Sequence, residues 1–241
     1  MFRKHYILIF IFIAHLFPAA QSIAIVSKSK GNVKYKNKKD KALNKTLKSG
    51  LDLYNNDYIR TGKDGFAKYV YLDDGTQIKI HNNSEVYIRG EINRRSIIKQ
   101  LKVDEGTVKL EIKKQAVDEF TVITPTSVAS VKGTSFWLDC SGNGGDKFYG
   151  ESGIVTIQNR ESGEKRELIK NTVASSLPNG TLNIRRMTQN ELNMLDDIEE
   201  ETGESGDSNE GNGNFEGEDN EIRIELEDES GNQKTIIINI K

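Results

Sequence analysis

Apolar and polar residues alternate along most of the first three quarters of this chain. The stretch FAKYVYL (66–72) is typical, because its odd and even positions would project from opposite faces of an extended strand. Runs of strand length recur at short, regular intervals, and a 3.6-residue helical period is almost absent from them. The pattern predicts an all-β fold of many short strands.

Turn signals separate these runs. Asp-Gly and related pairs between alternating runs favour tight turns, since glycine adopts positive φ without steric cost. We predict turns at Gly31-Asn32, Asp74-Gly75, Asn82-Asn83, Glu105-Gly106 and Ser162-Gly163.

The stretch ITPTSVASVKGTSFWLDC (123–140) combines a proline, a glycine turn and a new alternation. Pro125 should end one strand because it donates no ladder hydrogen bond, and Gly133-Thr134 should turn the chain into the next. If Phe136 faces the core, Cys140 is buried and Trp137 points outward. An outward tryptophan is costly to leave bare, so either another segment covers it or a partner contacts it.

The spacing of apolar residues changes after Arg186. Residues 187–201 carry an apolar stripe at helical spacing, formed by Leu192, Leu195 and Ile198. Thr188 precedes Glu191 by three residues, which is the spacing of a capping box. We predict one short helix.

The chain beyond this helix is acidic and then apolar. Residues 202–220 contain too few apolar side chains to offset chain entropy, so we predict a disordered linker. Asp207, Asn209 and Glu218 weakly resemble EF-hand calcium positions, although the loop glycine is misplaced. Residues 221–241 predict a β-hairpin that either returns to the domain or adds strands to another protein.

The first residues have the layout of a secretory signal peptide, which we assign to 1–22. A basic start precedes an apolar run from Tyr6 to Phe17, followed by small residues before the expected cleavage site. The run is shorter than the roughly 20 residues that span a bilayer. We therefore expect a periplasmic or secreted protein without a transmembrane segment after cleavage.

Charge divides the chain into two parts. Residues 23–186 carry 29 Lys and Arg against 19 Asp and Glu, a net charge of +10, whereas residues 187–241 carry 3 against 17, a net charge of −14. Nine lysines fall between Lys28 and Lys48, and we interpret them as a solvated strand edge that discourages pairing with other sheets. Contact with anionic lipid, a glycan or the acidic tail is the alternative, and export argues against nucleic acid.

Catalytic and metal-binding patterns are sparse. His81 is the only histidine after the predicted signal peptide, and it reads as a solvated turn residue. The pairs Asp73-Asp74 and Asp104-Glu105 fall at predicted turns, where aspartate caps backbone amides. Cys140 is the only cysteine, so no disulfide can form within the chain. We expect no enzyme, cofactor or metal site.

Six segments in order resemble the FecR domain family. They are GNVKY, LKSGLDLYNNDYIRTGKDGFAKYVYLDDGTQIKI, SEVYI, LKVDEGTVKLEI, FTVITPTSVASVKGTSFWLDC and YGESGIVTIQN. These segments run from Gly31 to Asn159, and the resemblance as a whole covers roughly residues 23–178. The resemblance implies an all-β, roll- or solenoid-like envelope domain without a catalytic centre. Its best-known members receive a signal from an outer-membrane transporter and pass it to a cytoplasmic sigma-factor-binding region. Only five residues precede the apolar run, so we expect no such region in this chain.

The sequence therefore predicts an exported, non-enzymatic module that acts by binding an envelope protein, which could be an outer-membrane or transporter-associated one. A module that binds surface polysaccharide or peptidoglycan is the alternative. We predict that five residues contact the partner: Trp137, Tyr69, Tyr71, Lys34 and Lys36. The predicted segments are the signal peptide (1–22), the β domain (23–186), the helix (187–201), the linker (202–220) and the hairpin (221–241).

Overall fold

The computed structural model describes residues 21–94, 96–115, 118–202, 221–228 and 231–239. The first ten strands are β1 (Ala24–Lys30), β2 (Val33–Lys36), β3 (Lys45–Thr46), β4 (Asp52–Leu53), β5 (Asp57–Thr61), β6 (Phe66–Tyr71), β7 (Gln77–Ile80), β8 (Glu85–Asn93), β9 (Ser96–Ile112) and β10 (Phe120–Ile123). The others are β11 (Ser127–Val131), β12 (Thr134–Cys140), β13 (Asp146–Ser152), β14 (Ile154–Asn159), β15 (Lys165–Ile169), β16 (Thr172–Ser176), β17 (Leu182–Arg186), β18 (Glu221–Glu227) and β19 (Gln233–Asn239). One α-helix, α1 (Gln189–Glu201), and a 3₁₀ turn (Gly142–Gly144) complete the described structure.

The strands form a curled mixed sheet in two layers. Layer 1 has the order β19-β18-β1-β6-β7-β9-β12-β13-β16-β17, with the short β4 beside the start of β1. Layer 2 has the order β3-β2-β5-β8-β9-β10-β11-β14-β15. The chain passes repeatedly between the layers and encloses one apolar core. The all-β prediction is confirmed.

Strand β9 joins the two layers. Its first half pairs with β8 in layer 2, and its second half, from Gly106 onward, pairs with β12 in layer 1. Gly106 has φ of +103°, and an added Cβ would lie 2.1 Å from Ser84 Oγ. The predicted turn at Glu105-Gly106 is therefore wrong. Glycine bends a continuous strand here, and the core-facing alternation moves from odd to even positions as it would across a turn.

The other predicted turns are confirmed as turns between strands. Asp74-Gly75 and Ser162-Gly163 join antiparallel neighbours, β6 with β7 and β14 with β15. Gly31-Asn32 and Asn82-Asn83 instead carry the chain from one layer to the other, since β1 and β7 belong to layer 1 whereas β2 and β8 belong to layer 2. Turn residues thus located the reversals without revealing which strands become neighbours.

A buried carboxylate organises the Pro125 turn between β10 and β11. Asp146, only 1% exposed, accepts hydrogen bonds from the hydroxyls of Thr124, Thr126 and Ser127. Because β13 supplies Asp146 to layer 1, these hydrogen bonds tie a layer 2 turn to the opposite layer. The proline and hydroxyl residues of this stretch therefore fix the junction of the layers.

Helix α1 matches the predicted segment. Thr188 is its N-cap and forms the expected capping box with Glu191. Leu195 is buried and Ile198 half-buried against the sheet, which confirms the direction of the predicted stripe.

The terminal hairpin, β18 with β19, docks on its own domain. Lys28 of β1 is paired in parallel register with Glu227, and the ammonium and carboxylate groups are 2.8 Å apart. Ile224 is buried against Ile25 and Val70. The predicted signal peptide (1–20 of it), most of the linker and the calcium-like positions lie outside the described residues. Within the ranges described, no helix has the length and apolar character needed to cross a membrane.

Candidate functional site: the outer face of layer 1

A single line of side chains crosses the outer face of layer 1, one from each of eight adjacent strands. Residues directly opposite one another on neighbouring strands project from the same face. From β1 to β17 the row reads Lys28, Lys68, Lys79, Lys109, Trp137, Tyr149, Val173 and Arg185. We call it the cross-strand row. One half is basic and the other is mainly aromatic and apolar.

Helix α1 covers the centre of the cross-strand row. Leu195 and Ile198 pack with Trp137, Tyr149 and Val173. Trp137 is 2% exposed as a result. It projects from the face opposite Phe136, as the sequence predicted, and another segment covers it, which was one of the two alternatives.

A carboxylate of the helix bridges the two central lysines of the row. Glu199 Oε1 lies 2.8 Å from Lys79 Nζ, and its Oε2 lies 2.6 Å from Lys109 Nζ. Both lysines are almost fully buried. Glu111 adds a carboxylate 3.0 Å from Lys79 Nζ, and Glu151 adds one 3.2 Å from Lys109 Nζ. Like charges opposite each other on paired strands repel, and the three carboxylates together offset this repulsion, with Glu199 the most buried of them.

The pKa values of these groups follow from the same contacts. Burial opposes ionisation of Glu199, but hydrogen bonds from Lys109 and Lys79 outweigh it and lower the pKa of the carboxyl. Burial likewise opposes the charge of Lys79, yet Glu111 and Glu199 raise its pKa above the ordinary value. Lys79 and Glu199 are therefore both charged near neutral pH.

Both ends of the helix are attached by basic residues of the sheet. Arg185 binds Glu191 through two hydrogen bonds, of 2.8 and 2.6 Å, which lower the pKa of that carboxyl to about 2. At the other end, Lys30 donates to the carbonyl of Thr202 at 3.2 Å. The acidic tail thus contacts its own basic domain, as one interpretation of the charge asymmetry proposed.

Aromatic and imidazole rings lie beneath the last turns of α1. The His81 ring centroid is 4.9 Å from that of Trp137 and 5.4 Å from that of Phe66. His81 is only 2% exposed, so its prediction as a solvated turn residue is wrong. It continues the outer face of β7, where the helix covers it. Beside it, a cleft of about 260 Å³ separates Ile198 and Thr202 from the sheet.

The structure does not bring the predicted contact residues together. Tyr69 and Tyr71 are fully buried on the inner face of β6, where they belong to the apolar core. The sequence could not assign that face, because either face of the 66–72 alternation carries large apolar or aromatic side chains. Their role in partner contact stays a prediction.

Lys34 and Lys36 are half-buried on the outer face of layer 2, away from Trp137. Strand β2 pairs with both β3 and β5, so the expected free edge at these lysines is wrong. The lysine run also continues into β1, where Lys28 belongs to the cross-strand row. Contact of Lys34 and Lys36 with a partner stays a prediction from the sequence alone, and it competes with partner contact on the outer face of layer 1.

The remaining candidate groups have structural surroundings. Asp73 and Asp74 hold the buried Lys99 ammonium at 2.7 and 2.9 Å. Cys140 is buried as predicted, and burial raises the pKa of its thiol. Across the described parts of the chain, no three His, Cys, Asp or Glu side chains converge as metal ligands would.

Part of the cross-strand row lies in a segment that matches a known family model. Residues 57–148 match the sequence model of the FecR protein family. This FecR segment runs from β5 into β13 and supplies Lys68, Lys79, Lys109 and Trp137 to the row. It is shorter than the resemblance over residues 23–178 that the motifs indicated, and α1 lies outside it.

Among solved structures, two crystal structures of a candidate anti-sigma factor from Parabacteroides distasonis ATCC 8503 are similar to this chain. Sequence identities are 17% and 18%, and TM-scores are 0.47 and 0.48. The similar regions cover 56% and 57% of this chain and 62% and 63% of the other, so this chain spans less than two thirds of that protein. No curated protein sequence matches the chain.

Proposed function

We propose that this protein is an exported, non-enzymatic module that acts by protein–protein interaction in signalling at the bacterial cell envelope. The observation that carries the proposal is the FecR match over residues 57–148. The signal-peptide pattern of residues 1–22 supports export, and the predicted partner is an envelope protein.

The chemistry of the cross-strand row supports binding and not catalysis. Its two central lysines, Lys79 and Lys109, are paired with neighbouring carboxylates, and Trp137 and Tyr149 provide apolar area beside them. Aromatic residues and desolvated charge pairs dominate the energetics of many protein interfaces. General acid–base work would instead need a titrating group beside an open substrate site.

Cross-linked affinity purification from intact producing cells tests the proposal. We expect the tagged full-length protein to recover a specific envelope protein that an unrelated tagged exported protein does not recover. Recovery of no specific protein, with the tagged chain exported and intact, would contradict the proposed function. Detection of the chain in the cytoplasm alone would contradict export.

Binding of a surface glycan is a second candidate, favoured by one observation. A cleft of about 610 Å³ opens between the end of β9 and the start of β12. Lys113, Lys114, Lys132, Ser135 and Ser152 are among its lining residues, together with Glu111 and the apolar Ile112 and Ile154. Lysines and hydroxyls together suit an acidic polysaccharide. Sedimentation with isolated cell walls tests this candidate, and protein that stays in the supernatant would count against it.

A further inference from the structure

We propose that helix α1 occupies a binding surface for a partner's acidic amphipathic helix, which displaces α1 when it binds. The inference rests on the proposed function and names the partner class and the surface. The surface is the central part of the cross-strand row, from Lys79 to Val173. Its ligand would present two apolar residues three positions apart followed by a carboxylate, as Leu195, Ile198 and Glu199 do.

The first argument is charge. Lys79 and Lys109 come from neighbouring strands and lie directly opposite each other. Glu111 of the sheet lies 3.0 Å from Lys79 Nζ and 3.9 Å from Lys109 Nζ, and Glu151 lies 3.2 Å from Lys109 Nζ. Glu199 is the most buried of the three carboxylates and accepts hydrogen bonds from both ammonium groups, at 2.8 and 2.6 Å. Removing one member of such a buried cluster is strongly destabilising. The surface therefore selects an occupant with an anion at this position.

The second argument is the small apolar contact of the present occupant. Leu195 is the only buried residue of α1, and Ile198 is half-buried. One buried leucine and one half-buried isoleucine are a small apolar contact for a docked helix. A cleft of about 260 Å³ adjoins this surface, between Phe66 and His81 of the sheet and Ile198 of the helix. A partner helix with a larger apolar side chain at that end could make contacts that α1 does not make.

The third argument is connectivity. Helix α1 follows β17 after only Met187 and Thr188, and the Arg185–Glu191 ion pair fixes its first turn beside that strand. The groups that cover Trp137 and bridge the lysines lie in the second half of the helix. That half can leave the sheet while the first turn and the two-layer core stay in place, because its contacts are separate from the core contacts.

Trp137 is the only tryptophan of the chain, so its fluorescence reports the position of α1. In the full-length protein, we expect Glu199→Lys to shift Trp137 emission to longer wavelength and to increase its quenching by acrylamide. Glu200→Lys is the matched control, since it makes the same charge change at the next, exposed helix position. Leu195→Ala opens the same surface without changing charge, and far-UV circular dichroism verifies that each variant keeps its strands.

A synthetic peptide of residues 188–202, which contains no tryptophan, then serves as the probe. We expect it to restore the wild-type emission of the Glu199→Lys and Leu195→Ala proteins saturably. A peptide carrying Glu199→Lys should bind at least about tenfold more weakly, because it lacks the bridging carboxylate.

Three results would overturn the inference: unchanged Trp137 shielding in both opened proteins, no saturable binding of the peptide, or equal binding of the two peptides. Equal restoration by polyglutamate would also overturn it, because the surface would then select only negative charge. These readouts do not depend on recovering a cellular partner. Failure of the peptide test is thus distinguishable from failure of the proposed function.

Discussion

Asp146 shows how a single side chain connects the two layers. The carboxylate accepts hydrogen bonds from three hydroxyls of the Pro125 turn, and all four residues are almost fully buried. The sequence marked this stretch as distinctive but did not reveal its acceptor. Asp146 lies some twenty residues further along the chain, in a segment where the sequence offers no pattern pointing to a buried acid.

We predict that Asp146→Ala lowers the free energy of unfolding by about 3 kcal/mol or more, because it leaves several buried hydroxyls without their acceptor. Urea unfolding followed by circular dichroism measures the change. Asp52→Ala, at an exposed position, is the control and should change stability by less than about 0.5 kcal/mol. Equal stability of the two variants would show that the hydroxyls find other partners.

Single residues also show where sequence reasoning ends. The direction of Trp137 and the burial of Cys140 follow from the alternation around Phe136, so both could be predicted. The burial of His81 could not be predicted, because it depends on a helix more than a hundred positions away in the chain. The expected free strand edge at Lys34 was wrong for a similar reason. Whether a strand lies at an edge depends on the order of all strands in the sheet, and β2 is paired on both sides.

At the scale of elements, local sequence signals predicted where helices and strands end better than they predicted which strands pair with each other. The capping box of α1 and most turns depend on only a few neighbouring residues, so they could be predicted from the sequence. Strand β9 is the exception. A glycine with positive φ serves equally in a hairpin turn and in a bend within one strand, and only its pairing with both layers distinguishes the two.

Helix α1 should also respond to pH. Its carboxylate Glu199 faces Lys79 and Lys109, with Glu111 and Glu151 beside them. Because the folded-state pKa of Glu199 is lowered, the stability that this group contributes is fully present above its unfolded value of about 4.3. That contribution is lost as the pH falls through the lower folded-state pKa.

We therefore predict that acidification below about pH 4.3 exposes Trp137 before the strands unfold. Trp137 emission and far-UV circular dichroism, measured on the same samples, separate the two events. Glu199→Gln removes the titrating group, so its emission should change less over that pH interval and start from a more exposed value. Identical profiles for the two proteins would assign the transition to another carboxylate.

At the scale of the whole molecule, opposite charges divide the two parts of the chain and then bring them together. The basic domain presents the cross-strand row, and the acidic tail supplies Glu199 and Glu227 to lysines of the same face. The charge counts of the two parts already showed this asymmetry in the sequence. Contact between the basic residues and the acidic tail was one of the alternatives that followed from it. The place of contact depends on eight strands in register, which only the assembled sheet defines.

We propose that a partner protein binds to the outer face of layer 1. Site-specific photo-cross-linking in producing cells tests this most directly, with a photoreactive residue at Lys68 in the cross-strand row or at Lys34 on the outer face of layer 2. Both positions are half-buried, so they form a matched pair. We predict that the probe at Lys68 captures a specific envelope protein and that the probe at Lys34 does not. Capture from Lys34 alone would contradict partner binding on layer 1 and would place the interface on layer 2.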